Sequence, residues 1–191
     1  MKHTLAEPLS FGCAPPRSRL LLRRIRFLTW LFIVGLGLSG ATAIPLQSEV
    51  GWLTDVTGAR LLVETPASTG PPAWAVWLTK TKSALDETAS RHPMLFYGTD
   101  WLAFGHFVIA VAFLGALRDP VRNRWLFSFG MIACGLVVPY ALVFGAVRGI
   151  PIWWRIVDCS FGVFGIVPIW FCRRCALELE ARQKDYSDCQ E

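Results

Sequence analysis

Long apolar runs dominate the chain and set its expected architecture. Phe27–Ser48 is uncharged over 22 residues and Trp125–Val147 over 23. Between Asp100 and Arg118 lie 17 residues without formal charge, which with the turn before them predict a helix over Tyr97–Leu117. A bilayer core of about 30 Å asks for about 20 apolar residues per helix. The fourth run needs an argument. Cys159–Cys172 is only 14 residues, too short to cross; extension back to Pro151 gives 22 and draws Arg155 and Asp158 into the helix. Pro151 suits a first helical turn. Arg155 has a stem long enough to reach the surface, whereas Asp158 does not. The pattern therefore predicts an all-α integral membrane four-helix bundle, spans at about 27–48, 97–117, 125–147 and 151–172, within a membrane domain 27–174.

The remaining segments are more polar. Pro15, Pro16 and "RSRLLLRRIR" predict a disordered start followed by a basic interfacial anchor over 1–26. Residues 49–96 form the long loop, with Pro66, Gly70, Pro71 and Pro72 marking its break. Inside it, Trp74, Trp77, Leu78, Thr81 and Leu85 share a helical face, so the extracytoplasmic loop is expected to carry an amphipathic helix. That helix either lies on the membrane surface or packs on the rest of the loop. Residues 175–191 are expected to be a cytoplasmic tail.

Composition agrees: only 17% of residues are charged and mean hydropathy is +0.43, where a soluble domain carries roughly a quarter charged. The net charge of +5 is a matter of placement. Thirteen of the 19 Lys and Arg fall in 1–26, 118–124 and 173–191; six fall in 49–97 and at Arg148 and Arg155. The positive-inside bias then predicts both termini in the cytoplasm and the 49–96 loop outside. It leaves little to support nucleic-acid binding. Trp30, Trp52, Trp101, Trp125, Trp153, Trp154 and Trp170 sit near the expected interfaces. A competing reading takes "LLLRRIRFLTWLFIVGLGLSGATA" as a secretory signal cut after Ala43, which leaves three spans and the same loop outside.

The stretches "FYGTDWLAFGHFVIA", "RDPVRN", "FGMIACGLVVPYAL" and "RGIPIWWRIVDCSFGVFG" resemble those of small, uncharacterised bacterial inner-membrane proteins with four transmembrane helices. The resemblance covers Phe96–Arg174. It implies a bacterial inner-membrane setting and no particular activity.

Candidate chemistry starts from stripes. Arg155, Asp158, Gly162, Gly165, Ile169 and Cys172 follow spacings of three and four, as do Gly130, Cys134, Val137, Ala141, Gly145 and Arg148. In the first span Gly35, Ser39 and Thr42 share a face. Small residues let membrane helices approach closely, so these stripes should face the bundle and carry their polar members inward. His106 and Asp158 each lie seven residues below a helix start, roughly 10 Å deep. An outer-side polar cluster of Asp100, His106, Arg148, Arg155 and Asp158 follows, with Asp158 paired to Arg155 or Arg148. Its functional reading is a proton relay, a quinone-head site or a pocket open to the outside; its plain reading is an ion pair that fixes helix register.

Cofactor chemistry is thin. His3 and His92 lie outside the spans, which excludes bis-histidine haem within one chain and leaves single-ligand haem at His106. His106 with Asp158 offers two metal ligands, too few for a site. Cys172-Arg-Arg-Cys175 is a thiol candidate beside basic residues. The 49–96 loop has no cysteine, unlike the four-helix membrane disulfide-forming quinone reductases, whose working cysteines are on the outer side. Arg118, Asp119 and Arg122 are a candidate docking surface in a tight turn. No phosphate loop, zinc-protease helix or nucleophile elbow is present. The expectation is thus a small polytopic membrane protein: a non-enzymatic scaffold, assembly or accessory subunit, with lipid including anionic lipid, a membrane-protein partner or further copies of itself as partners. The alternatives are a redox or proton-handling membrane enzyme using quinone at the outer cluster, and an oligomeric transporter.

Overall fold

The computed structural model describes residues 16–65 and 70–188. The expected disordered start over 1–15, the Pro66 end of the loop break and the last residues of the tail lie outside them. Every regular element among the described residues is helical: α1 (Pro16–Ala43), α2 (Leu46–Val56), α3 (Ala59–Glu64), α4 (Ala73–Arg91), a 3-10 turn (Pro93–Phe96), α5 (Tyr97–Arg118), α6 (Arg124–Val147) and α7 (Ile152–Asp188). Four segments are long and apolar enough to cross a membrane: Arg17–Ala43, Pro93–Arg118, Arg124–Val147 and Ile152–Asp185. The chain divides into two compact units, Val34–Val111 and the rest, so α1 and α5 each contribute to both.

The unit formed by residues 1–33 and 112–191 is built on the α6–α7 hairpin. Its turn is set by chain chemistry. Ile150 N–H donates to Gly145 O at 2.8 Å and Gly149 N–H to Ala146 O at 3.1 Å, with Gly149 at φ 69. This is a Schellman close, and the left-handed residue it needs is the glycine. Pro151 follows, and its carbonyl accepts from Trp154 and Arg155 N–H groups to start α7. Below the turn the helices touch through missing side chains. A Cβ at Gly162 would overlap the Cys134 carbonyl oxygen, and one at Gly165 would lie 2.7 Å from Cys134 Sγ. At Gly130 it would lie 3.0 Å from Phe113 Cζ and 3.4 Å from Ile169 Cγ2. The two small-residue stripes of α6 and α7 therefore face each other.

Within this unit α1 buries Ser18, Leu21, Ile25, Thr29 and Ile33, again at spacings of three and four. Thr29 Oγ1 lies 3.6 Å from Cys172 Sγ, and the Cys172 thiol donates to Ile25 O at 3.7 Å. Phe32 and Phe113 rings meet at 4.8 Å. α7 does not stop at Cys172. Its 37 residues extend about 55 Å, well past an apolar thickness of about 30 Å. Beyond Cys172 it keeps Ala176 and Leu179 buried. Arg173 Nε donates to Ser128 Oγ at 3.0 Å, and Arg124 pairs with Glu180. Segment 175–188, expected as a tail, is thus a continuation of the helix.

The unit Val34–Val111 holds the end of α1, the start of α5 and a cap of α2–α4. α1 ends before Pro45, whose carbonyl accepts the Glu49 N–H of α2 at 2.9 Å. The first helix is therefore five residues shorter at this end than the uncharged run to Ser48. Gly35, Ser39 and Thr42 are all exposed, which corrects the expectation that they face a neighbour. Gly40 does so instead: a Cβ there would sit 3.0 Å from Ala103 O and from His106 Cβ. In the cap, Gly58 at φ 64 turns α2 into α3. Ala59, Ala75 and Leu78 form a small core, covered by Val50, Leu53, Val63 and Trp77. α4 thus turns Ala75 and Leu78 onto α2 and α3, while Trp74 is 37% exposed.

Candidate functional site

Arg148, Arg155 and Asp158 belong to the hairpin unit. Arg148 is the exposed C-cap of α6. Arg155 is half-buried, and its aliphatic stem fills the notch at Gly145, where a Cβ would overlap Arg155 Cδ. Its Nη1 donates to Leu142 O at 3.3 Å, and its Nε is buried without a hydrogen-bond partner. Asp158 is half-buried one turn further on. The expected ion pair is not formed: among the described residues Asp158 has no cation within 4.0 Å. The reason is visible at Gly145. The glycine gives the arginine stem a seat against α6, and the guanidinium donates to the Leu142 carbonyl rather than to a carboxylate.

Asp100 and His106 belong to the other unit. Asp100 is exposed in the first turn of α5. His106 is half-buried; its Nδ1 lies 2.8 Å from Leu102 O of the preceding turn, and its Cβ backs onto Gly40. Six residues apart on one helix, these two side chains point about 120° away from each other. Within each unit, then, the candidates do not converge on one point.

Among the described residues Cys134, Cys159 and Cys172 lie where helices meet. Cys172 is fully buried against α1, and Cys175 is half-buried. Cys134 lies in the α6–α7 contact, and the Cys159 thiol donates to Val138 O at 3.8 Å. Among the described residues no three His, Cys, Asp or Glu side chains gather as a metal-ligand group. In the α5–α6 turn, Asp119 accepts the Arg122 N–H at 3.0 Å, and Asn123 Nδ2 donates to both Gly115 O and Asp119 O at 3.0 Å. Arg118, Asp119 and Arg122 remain exposed on this hydrogen-bonded turn.

The cap contains a polar constellation that hydropathy reading missed. Lys82 Nζ donates to both oxygens of Asp86, at 2.6 and 2.5 Å, and Gln47 Nε2 donates to Asp86 Oδ1 at 2.7 Å. The lysine stem crosses α2 at Gly51, where a Cβ would sit 2.9 Å from Lys82 Cε. Hydrogen bonds from Lys82 and then Gln47 hold the Asp86 carboxyl below its usual range. The i, i+4 spacing of Lys82 and Asp86 was the available signal; the Gln47 arm comes from another helix and carried none.

No protein-family model, curated protein or solved structure matches the chain.

Proposed function

We propose that the chain is a small polytopic protein of a bacterial inner membrane, both termini cytoplasmic, that acts as a non-enzymatic scaffold, assembly or accessory subunit. The supporting observation is the cap. It has a core of its own, yet leaves Trp52 66%, Val56 64% and Leu61 66% exposed. Exposed apolar groups in such number mark surfaces that other molecules cover. The occupant proposed here is a second membrane protein held through the cap, placed outside by the lysine and arginine distribution. A photo-crosslinking side chain placed at Trp52 or Leu61 should give one protein adduct of defined mass in intact membranes, and Lys80 on α4 should give none. Adducts to lipid alone, or equal adducts at all three positions, would contradict this reading.

A second reading has one observation behind it. The buried, unpartnered Arg155 Nε and the half-buried, unpaired Asp158 are polar capacity inside an apolar segment, which membrane proteins commonly keep for a task. It supports a redox or proton-handling enzyme, quinone included. Quinone that purifies with the protein and is lost in Asp158→Asn would favour it over the scaffold.

A further inference from the structure

Where α1 and the extended end of α7 run side by side, they leave a groove of about 260 Å³, lined by Arg17, Leu20, Leu21 and Arg24 of α1 and by Glu178 of α7. Arg17 and Arg24 are seven residues apart, two turns, so both project on one side of α1 about 10 Å from each other. Neither has an ion-pair partner among the described residues. Glu178 lines the groove without pairing to either; its Oε1 accepts from Arg182, from Nη2 at 2.8 Å and Nε at 3.2 Å, so its charge offsets the two arginines only in part. Between the two guanidinium groups the wall is leucine: Leu21 is buried and Leu20 is 56% exposed. Three residues past Arg24 the uncharged run begins at Phe27. The groove therefore combines two free cations, an apolar wall and a position where a helix enters its apolar stretch.

We propose that this groove binds one anionic phospholipid, its phosphodiester held by Arg17 and Arg24 and the start of an acyl chain lying along Leu20 and Leu21. The assignment rests on the membrane reading above. A free phosphate would satisfy the arginines but leave Leu20 in water; a neutral lipid would satisfy Leu20 but lack the net charge. Only a lipid with an anionic head meets both halves of the groove. Arginine suits the task because its planar fork binds phosphate oxygens in pairs.

The test uses the full chain purified in a neutral detergent, with retention of phosphatidylglycerol against phosphatidylcholine read by native mass spectrometry. Wild-type protein should retain phosphatidylglycerol preferentially, and millimolar inorganic phosphate should not displace it. Arg17→Gln with Arg24→Gln should weaken retention at least about ten-fold, each arginine near a charged surface being worth about five-fold. Glu178→Gln should tighten it. Arg118→Gln with Arg122→Gln removes the same charge from the α5–α6 turn and should change retention by less than about two-fold. Equal retention of the two lipids, displacement by inorganic phosphate, or equal losses in the two arginine pairs would each overturn the proposal. Alkaline extraction of the same membranes separates this failure from a larger one. A wild-type chain released by alkali would overturn the membrane reading itself.

Discussion

The α6–α7 hairpin and the α2–α4 cap are both antiparallel helical packings, but they are held by opposite means. In the hairpin, glycines bring backbone against side chain and backbone against backbone, as Gly162 does at the Cys134 carbonyl. No ion pair ties the upper part of the two helices among the described residues; Arg155 reaches only a carbonyl. In the cap, a few apolar side chains fill a small core, and Lys82, Asp86 and Gln47 clamp its edge. Four of its threonines bond back to their own helices, Thr54 to Val50 O, Thr57 to Leu53 O, Thr81 to Trp77 O and Thr88 to Ala84 O, whereas the Thr79 hydroxyl is buried without a partner. The difference follows the solvent each expects. In hydrocarbon, burying an apolar side chain gains little, so association relies on close van der Waals approach. In water, apolar burial drives packing and charged edges are cheap. The hairpin should therefore break when volume is added, and the cap when volume is removed.

The largest effect is expected from Leu78→Ala in the cap. Leu78 is 4% exposed at the centre of the small core, and truncations of this kind cost about 2–5 kcal/mol. Hydrogen exchange should rise across α2, α3 and α4 while α6 and α7 amides stay protected. Loss of protection in α6 and α7 as well would contradict two separately held regions. Next comes Gly162→Leu, which drives a side chain into the Cys134 carbonyl and should cost about 1–3 kcal/mol, read as a lower unfolding midpoint in detergent. Gly135→Leu is its counterpart on the same hairpin, with nothing within 4 Å of the built Cβ. It should shift the midpoint far less; equal shifts would mean that the small-residue contact is not what holds the hairpin.

The smallest effect is a pH dependence confined to the cap. The Asp86 carboxyl is held below its ordinary value by Lys82 and Gln47. A depressed folded value means that the unfolded chain takes up the proton first. The stabilisation is therefore complete above the ordinary aspartate value, about 3.9, and is lost as pH falls through the lower folded value. Cap exchange should accelerate across that acid window in the wild type, and Asp86→Asn should flatten the response. An unchanged response in Asp86→Asn would assign it to another carboxylate.

Much of the hairpin was legible in the sequence because its signals are periodic. Apolar runs placed α5 and α6 to within a residue, and the three-and-four spacing of Gly162, Gly165, Cys134 and Val137 identified the faces that meet. Continuations and breaks were harder. "CALELEARQKDYSD" changes the solvent of α7, not its conformation, since Ala, Leu, Glu, Arg, Gln and Lys are all good helix formers. Pro45 split what hydropathy read as one run. α2 and α3, at 11 and 6 residues, were too short for the periodicity to register. At the candidate site the residues were legible but their partners were not. Which acceptor the Arg155 guanidinium reaches, the Leu142 carbonyl or the Asp158 carboxylate, is a side-chain choice that spacing along the chain does not encode.

Four helices are long and apolar enough to cross a membrane, and the proposed orientation puts the cap outside and the end of α7 in the cytoplasm. The direct measurement is labelling by a membrane-impermeant thiol reagent in intact cells, with single reporters Lys80→Cys on α4 and Lys184→Cys on α7 in a chain whose native cysteines are replaced by serine or alanine. Lys80→Cys should label in intact cells, and Lys184→Cys only after the membrane is opened. The reverse pattern, or labelling of both before opening, would contradict that orientation.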